Sequence, residues 1–182
     1  MLAFLRTRFK RLAGFGSDRK AVVAVEFALI AAPLVFMICA CVELCMVFFV
    51  SVTLDNATQM AARGIRTGNT TTTNTTKAQF AADICNNMGW LAGSCPTSLA
   101  LDVEAPTSFP NAAQLVAANP VSSNGQFQAP LNYNVGTGSQ IQLIRAYYTW
   151  PLFTPLLNPG LVTLGSGDAL LTSTVIFRNE PF

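Results

Sequence analysis

The sequence predicts an α+β fold in which a long N-terminal transmembrane helix continues into a small extracytoplasmic domain with an antiparallel sheet. A predominantly apolar run with only two charged residues fills residues 21–52, and apolar side chains then recur at helical spacing to about residue 67. From Leu99 onward, alternating segments and turn residues indicate three to five strands. The 182 residues leave room for one such domain beyond the helix.

The composition excludes most enzyme classes. Only 11% of the residues are charged, against roughly 25% in an ordinary soluble domain. The chain has no histidine, which removes Ser-His-Asp and Cys-His nucleophiles, histidine acid–base catalysis and most zinc sites. We therefore expect a non-enzymatic protein with no cofactor and no metal.

The basic charge is confined to a leader, residues 1–20, which holds six basic side chains and one acid. The rest of the chain has more acids than bases, so no basic surface remains for nucleic acid, and nucleic acid is not expected as a partner. By the positive-inside rule, the leader is cytoplasmic and the domain lies outside.

The apolar run at residues 21–52 exceeds the roughly 20 residues that a bilayer core requires, and it is too long for a cleaved secretory signal. Its two charged residues are Glu26 and Glu43. Glu26 either pairs with Lys20 at the headgroup level or has a specific partner, because a membrane carboxylate is costly. Glu43 is expected to snorkel to the outer surface.

The predicted organisation has four parts: a leader (1–20), the helix (21–67), a Thr/Asn linker (68–76) and an α+β domain (77–182). The domain opens with a short helix over Lys77–Leu91. Two cysteines, Cys85 and Cys95, lie in an oxidising compartment ten positions apart and are expected to form a disulfide. The other three, in the spanning helix, are expected to remain thiols: Cys39, Cys41 and Cys45.

Four strands are predicted. Leu99–Glu104 alternates, which places Asp102 and Glu104 on a solvated strand face. Gln126–Val135 and Gln140–Thr149 are expected to pair as a hairpin, and Ser173–Arg178 to close the sheet. The proline-rich stretch 150–159 is predicted to be an apolar loop, and residues 148–157 are the candidate partner surface.

The string KAVVAVEFALIAAP, from Lys20 to Pro33, resembles the signature of the TadE-like proteins, pseudopilin-like components of the tight-adherence (Flp) pilus system. The similarity is strong over residues 18–66. This region includes Val42-Glu43-Leu44. The similarity returns in two short patches further along, Tyr148–Leu157 and the C-terminus Val175–Phe182.

The resemblance implies processing by a prepilin peptidase, which removes the leader between Ala21 and Val22 and makes Glu26 the fifth residue of the mature chain. The family has glycine where this chain has Ala21, so a cleaved and an uncleaved form both stay open. In the cleaved form, the carboxylate of Glu26 would neutralise the new α-amine of a neighbouring subunit.

The function implied is a membrane-anchored, pseudopilin-like component of a tight-adherence pilus or a related type II/IV secretion system. The protein would lie in the bacterial inner membrane as a single-pass chain with a periplasmic domain. Expected partners are membrane lipid, other pilin or pseudopilin subunits, the pilus assembly machinery and the prepilin peptidase. The alternative is a membrane-anchored periplasmic binding module unrelated to pili.

Overall fold

The computed structural model describes residues 19–154 and 158–182. The predicted basic leader, apart from its last two positions, and residues 155–157 of the predicted loop lie outside the described residues. The chain divides into two compact units, one that ends at Val42 and one that runs Glu43–Phe182.

The first long element is helix α1, Arg19–Arg66, and it confirms the helix predicted over residues 21–67. Its segment from Val22 onward is long and apolar enough to cross a membrane. Pro33 lies inside the helix, a placement that membrane helices tolerate better than soluble ones. In the first unit the apolar side chains are mostly exposed, as a lipid-facing helix requires. Among the described residues, the structure therefore contains one candidate membrane-spanning helix, in the predicted place.

In the second unit, α1 buries one stripe. Val47, Val50, Leu54 and Ala57 recur at three- and four-residue intervals and are buried in a single core with the rest of the domain. The helix ends at Arg66. Gly68, two residues later, has a φ of +77°, the left-handed conformation that often follows a helix, and its N–H donates to the Ile65 carbonyl at 3.1 Å. This part of α1 is thus both a continuation of the anchor and the first core element of the domain.

The helix predicted over Lys77–Leu91 forms in two pieces. Helix α2 covers Lys77–Asn87 and starts at a capping box of Thr76 and Gln79, and a 3₁₀ turn covers Gly89–Leu91. Gly89 separates them because its φ is +60°. A short helix α3, Cys95–Ser98, follows. The predicted disulfide is present: Cys85 and Cys95 are bonded, with their Cα atoms 5.5 Å apart.

The sheet has three antiparallel strands in the order β1-β2-β3: Leu99–Glu104, Ile141–Trp150 and Ala169–Arg178. Strand β1 has the predicted bounds, and β3 extends the predicted closing strand by four residues at its start. The register sets Asp102 opposite Arg145 and Ile144 opposite Val175. The predicted α+β architecture is confirmed.

The predicted hairpin between Gln126–Val135 and Gln140–Thr149 is wrong. Gln126–Val135 contributes two isolated bridges, Val103 to Tyr133 and Val121 to Phe127, and no strand. The reason is that β2 is buried on both faces from Gln142 to Tyr148 and is the central strand. Its two edges are taken by β1 and β3, so it has no edge left for the preceding segment.

The two faces of the sheet are covered differently. One face, with Val103, Ile144 and Val175, joins the core shared with α1 and α2. The other face carries Asp102 and Arg145 and lies beneath the segment 105–134, which includes helix α4, Phe109–Ala117. The expectation that Asp102 and Glu104 are solvated is therefore wrong: Asp102 is fully buried and Glu104 is half-buried.

Candidate functional site

The residues predicted for processing and subunit packing lie at the start of α1. Val22 and Glu26 are exposed on the helix, and Ala21 belongs to its first turn. An exposed carboxylate with apolar neighbours on either side has the chemistry that pairing with a second chain requires. The pairing of Glu26 with a second chain stays a prediction.

Glu43 does not snorkel as expected. It is 3% exposed, and its carboxylate binds the loop that follows β2. Oε1 accepts from the backbone N–H of Phe153 and from that of Thr154 at 2.8 Å. Oε2 accepts from the Thr154 hydroxyl and from Nδ2 of Asn158 at 2.9 Å. Each oxygen therefore takes two donors, and the charge is satisfied without water.

This contact explains how a loop with three prolines is held. Pro151, Pro155 and Pro159 cannot continue a hydrogen-bonded ladder, so the loop's remaining N–H groups need other acceptors. Glu43 supplies one for Phe153 and Thr154. Sequence reasoning missed this role. One signal in the sequence could have indicated it: Glu43 and this loop both lie in segments that resemble the same family.

The predicted partner surface at 148–157 is only partly accessible. Tyr148 and Trp150 are buried, whereas Phe153 is 75% exposed. Trp150 also ends β2, so the predicted apolar loop starts one residue later. Among the described residues of this stretch, Phe153 is the aromatic residue whose side chain is exposed.

Four rings form what we call the aromatic collar: Phe49, Trp90, Trp150 and Phe153. Phe49 stacks on Trp90 with centroids 6.0 Å apart. Trp150 meets Trp90 edge-on at 6.2 Å and Phe153 edge-on at 6.5 Å. These spacings are those of favourable aromatic pairs. The collar links α1, the 3₁₀ turn and the loop after β2 in one surface feature.

The opposite face of the sheet holds a charged cluster. Arg145 Nε donates to Asp102 Oδ2 at 3.0 Å, and its Nη2 lies 3.3 Å from Glu104 Oε1. Arg145 also donates to the Leu115 carbonyl of α4, and the Asn132 N–H donates to Asp102 Oδ1 at 2.8 Å. Burial and the nearby charge of Asp102 raise the pKa of Glu104 above its ordinary value. The cluster joins α4 and the following segment to the sheet, which is a structural role.

The C-terminal tail closes the far end of the helix. The Glu180 N–H donates to the Arg66 carbonyl at 3.0 Å. Asn179 is buried and donates through Nδ2 to the Thr137 carbonyl at 3.0 Å. The family-like patch at the C-terminus thus fastens the last turn of α1 to the sheet.

Within residues 19–154 and 158–182, no group of three or more Cys, Asp and Glu side chains is placed to hold a metal ion. The contacts described above are all between protein groups, and each has a structural explanation. Two exposed features suit contact with another molecule: the start of α1, with Glu26, and the aromatic collar.

The fold defines a class of protein: one candidate membrane-spanning helix whose C-terminal part is built into a small α+β domain. Residues 21–63 match the model of the family described as TadE-like protein, which confirms the resemblance seen in the sequence. Comparison with curated proteins and with solved structures gave no match. The match covers the helix and does not extend into the domain that follows it.

Proposed function

We propose that this protein is a non-enzymatic, pseudopilin-like component of a tight-adherence pilus or a related secretion machine. The chain sits in the bacterial inner membrane with its leader in the cytoplasm and its domain in the periplasm. Other pilin-like subunits and the assembly machinery are its partners. The match at residues 21–63, which includes Glu26 and the helix around it, is the observation that carries the proposal.

The mechanism assigns Glu26 to contacts between subunits. A prepilin peptidase cleaves the amide bond between Ala21 and Val22 with water, which leaves a carboxylate on Ala21 and a cationic α-amine on Val22. The exposed carboxylate of Glu26 then pairs with the α-amine of a neighbouring subunit as the helices pack laterally. In the low dielectric of the membrane, loss of one partner from a buried ion pair costs about 3–5 kcal/mol.

The test replaces Glu26 in the cell that makes the protein. Glu26→Gln should leave membrane insertion intact, because removal of the charge eases insertion, and should abolish pilus assembly. Glu180→Gln is the matched control, since it removes an exposed acid from the domain and should assemble normally. Normal pili and surface attachment in the Glu26→Gln strain would falsify the subunit-packing role.

Processing and orientation have separate tests. Ala21→Leu should block leader removal and give a longer chain without pili, and Ala21→Gly should be cleaved at least as well as the parent. N-terminal sequencing of the purified protein reads the outcome directly. A periplasm-dependent reporter should be active when fused after Gly68 and silent when fused after Lys20. The opposite reporter pattern would reverse the proposed topology.

A further inference from the structure

The aromatic collar leaves three large rings of the domain uncovered. Phe49 is 57% exposed, Trp90 54% and Phe153 75%. Phe49 stacks on Trp90, and the rings of Trp90 and Phe153 both contact the buried ring of Trp150, which connects them. A contiguous apolar patch on a small domain marks an interaction surface with a partner of matching chemistry.

The three segments that form the collar carry no charged residue. Between Glu43 and Asp55, between Asp83 and Asp102, and between Arg145 and Asp168, the sequence contains no Asp, Glu, Lys or Arg. These segments therefore offer no charged side chains for ion pairs with a protein partner. An uncharged aromatic surface fits the interfacial zone of a bilayer, where aromatic side chains are enriched.

The position of the collar along the chain supports the same partner. Residues 22–42 of α1 span about 31 Å at 1.5 Å per residue, which matches a hydrocarbon core of about 30 Å. The second unit starts at the next residue, Glu43, and the Phe153 N–H donates to that carboxylate. Phe153 therefore lies beside the residue at which the helix would leave the hydrocarbon.

Phe49 and Trp90 lie close to the same level. Phe49 is six residues beyond Glu43, about 9 Å along the axis, and helical side chains point back toward the N-terminus. Its ring therefore covers the turn between Glu43 and its own Cα, and Trp90 stacks on it. The headgroup zone is about 5–7 Å thick on each side of the hydrocarbon, which is enough to contain the exposed edge of the collar.

We propose that the aromatic collar inserts into the interfacial zone on the domain's side of the membrane and seats the domain on the lipid surface. The occupant is phospholipid, contacted at the headgroups and the first acyl carbons. The indole of Trp90 suits this zone because its ring is apolar while its N–H can bond to headgroup oxygens. This inference requires that α1 spans the membrane and does not depend on the proposed pilus role.

The test uses the full chain reconstituted into phosphatidylcholine vesicles. The protein has two tryptophans, so Trp150→Phe leaves Trp90 as the single fluorophore. With phosphatidylcholine brominated near the top of its acyl chains, Trp90 should lose most of its emission. Aqueous iodide should quench it weakly.

The matched control places a tryptophan on α4. Phe109 is 56% exposed, close to the value for Trp90, and its helix covers the opposite face of the sheet. A chain with both tryptophans replaced by Phe and with Phe109→Trp should respond to iodide and not to brominated lipid. Circular dichroism checks that each variant is folded.

Two results would overturn the proposal. Trp90 emission that iodide quenches as strongly as that of the Phe109→Trp control would place the collar in water. Trp90 emission that neither iodide nor brominated lipid quenches would place it in a contact with another protein chain. Neither result would bear on Glu26 or on pilus assembly, so the two proposals fail independently.

Discussion

Glu43 and Thr154 are 111 positions apart in the chain, yet the Thr154 N–H donates to one oxygen of the Glu43 carboxylate and the Thr154 hydroxyl donates to the other. Phe153 and Asn158 donate to the same carboxylate. The loop after β2 is therefore tied to α1 at the first residue of the second unit. Hydropathy alone gives Glu43 only as an unfavourable charge in an apolar helix. In the structure, its carboxylate holds the loop of the domain to that helix.

Removal of this carboxylate should destabilise the domain strongly. In Glu43→Ala, two backbone N–H groups and two side-chain donors lose their acceptor. Buried donors left unpaired cost about 1–3 kcal/mol each, so we expect a loss of about 3 kcal/mol or more in the free energy of unfolding. Urea unfolding of the full chain in detergent, followed by tryptophan fluorescence, measures it.

Glu26→Ala is the control for Glu43→Ala. It removes a carboxylate from the same helix, but Glu26 is exposed and lies in the first unit. Exposed substitutions of this kind usually change stability by less than about 0.5 kcal/mol. Equal effects of the two substitutions would mean that Glu43 does not hold the loop.

Local patterns predicted the local elements. The apolar run predicted α1, the alternation in Leu99–Glu104 predicted β1 with its bounds, and the spacing of Cys85 and Cys95 predicted the disulfide. Each of these signals acts within a few residues, or along one continuous helix. These elements can therefore be predicted from local sequence, without knowledge of the rest of the chain.

Long-range partners were not predictable in the same way. Glu43 reaches a loop 110 positions away, and Arg145 buries Asp102 on a face that the alternation pattern assigned to solvent. Gln126–Val135 was predicted to pair with β2 because it is close to it in the sequence. In the structure that edge of β2 pairs with β3, which follows the segment 151–168. Helix α4 was missed although Ser108 caps it and Pro110 occupies its first turn.

The disulfide should account for part of the stability of the domain. Reduction of the Cys85–Cys95 bond, or the double change to serine, opens a loop of about 11 residues, worth about 2.5–3 kcal/mol in the chain-entropy model. Non-reducing peptide mapping should link these two cysteines and recover Cys39, Cys41 and Cys45 as thiols. Free Cys85 from an oxidising preparation would contradict the pairing.

Glu104 should give the domain a distinctive pH dependence. Its pKa is raised in the folded state, chiefly by burial and then by Asp102. The folded protein therefore holds this proton at pH values where the unfolded chain has lost it. The contribution of Glu104 to stability is largest below its ordinary pKa, and it falls as the pH rises from that value through the raised one.

Glu104→Gln isolates this effect. The variant should gain stability relative to the parent as the pH rises through that window, and Glu180→Gln controls for the loss of one acidic charge from the domain. Chemical unfolding of the full chain at several pH values measures the difference. Asp102→Asn, in contrast, should lower the free energy of unfolding by about 3–5 kcal/mol at neutral pH, because it leaves Arg145 buried without its main partner. A pH-independent difference for Glu104→Gln would contradict the raised pKa.

The end of α1 offers a test of the C-terminal closure. Gly68 has a φ of +77°, and a Cβ at this position would lie 2.6 Å from Cγ of Phe182. Gly68→Ala should therefore lose about 1–2 kcal/mol from the left-handed backbone and more from the displaced ring. Thermal unfolding of the full chain gives the total.

A double-mutant cycle with Phe182→Ala separates the two contributions. With the ring removed, Gly68→Ala should cost only the backbone part, so its cost should be smaller than in the parent chain. Gly93→Ala is the control, since no atom lies within 4 Å of the added Cβ and its φ is outside the left-handed range. It should be neutral or slightly stabilising. An identical cost for Gly68→Ala in both backgrounds would show that the C-terminal ring does not close over the end of the helix.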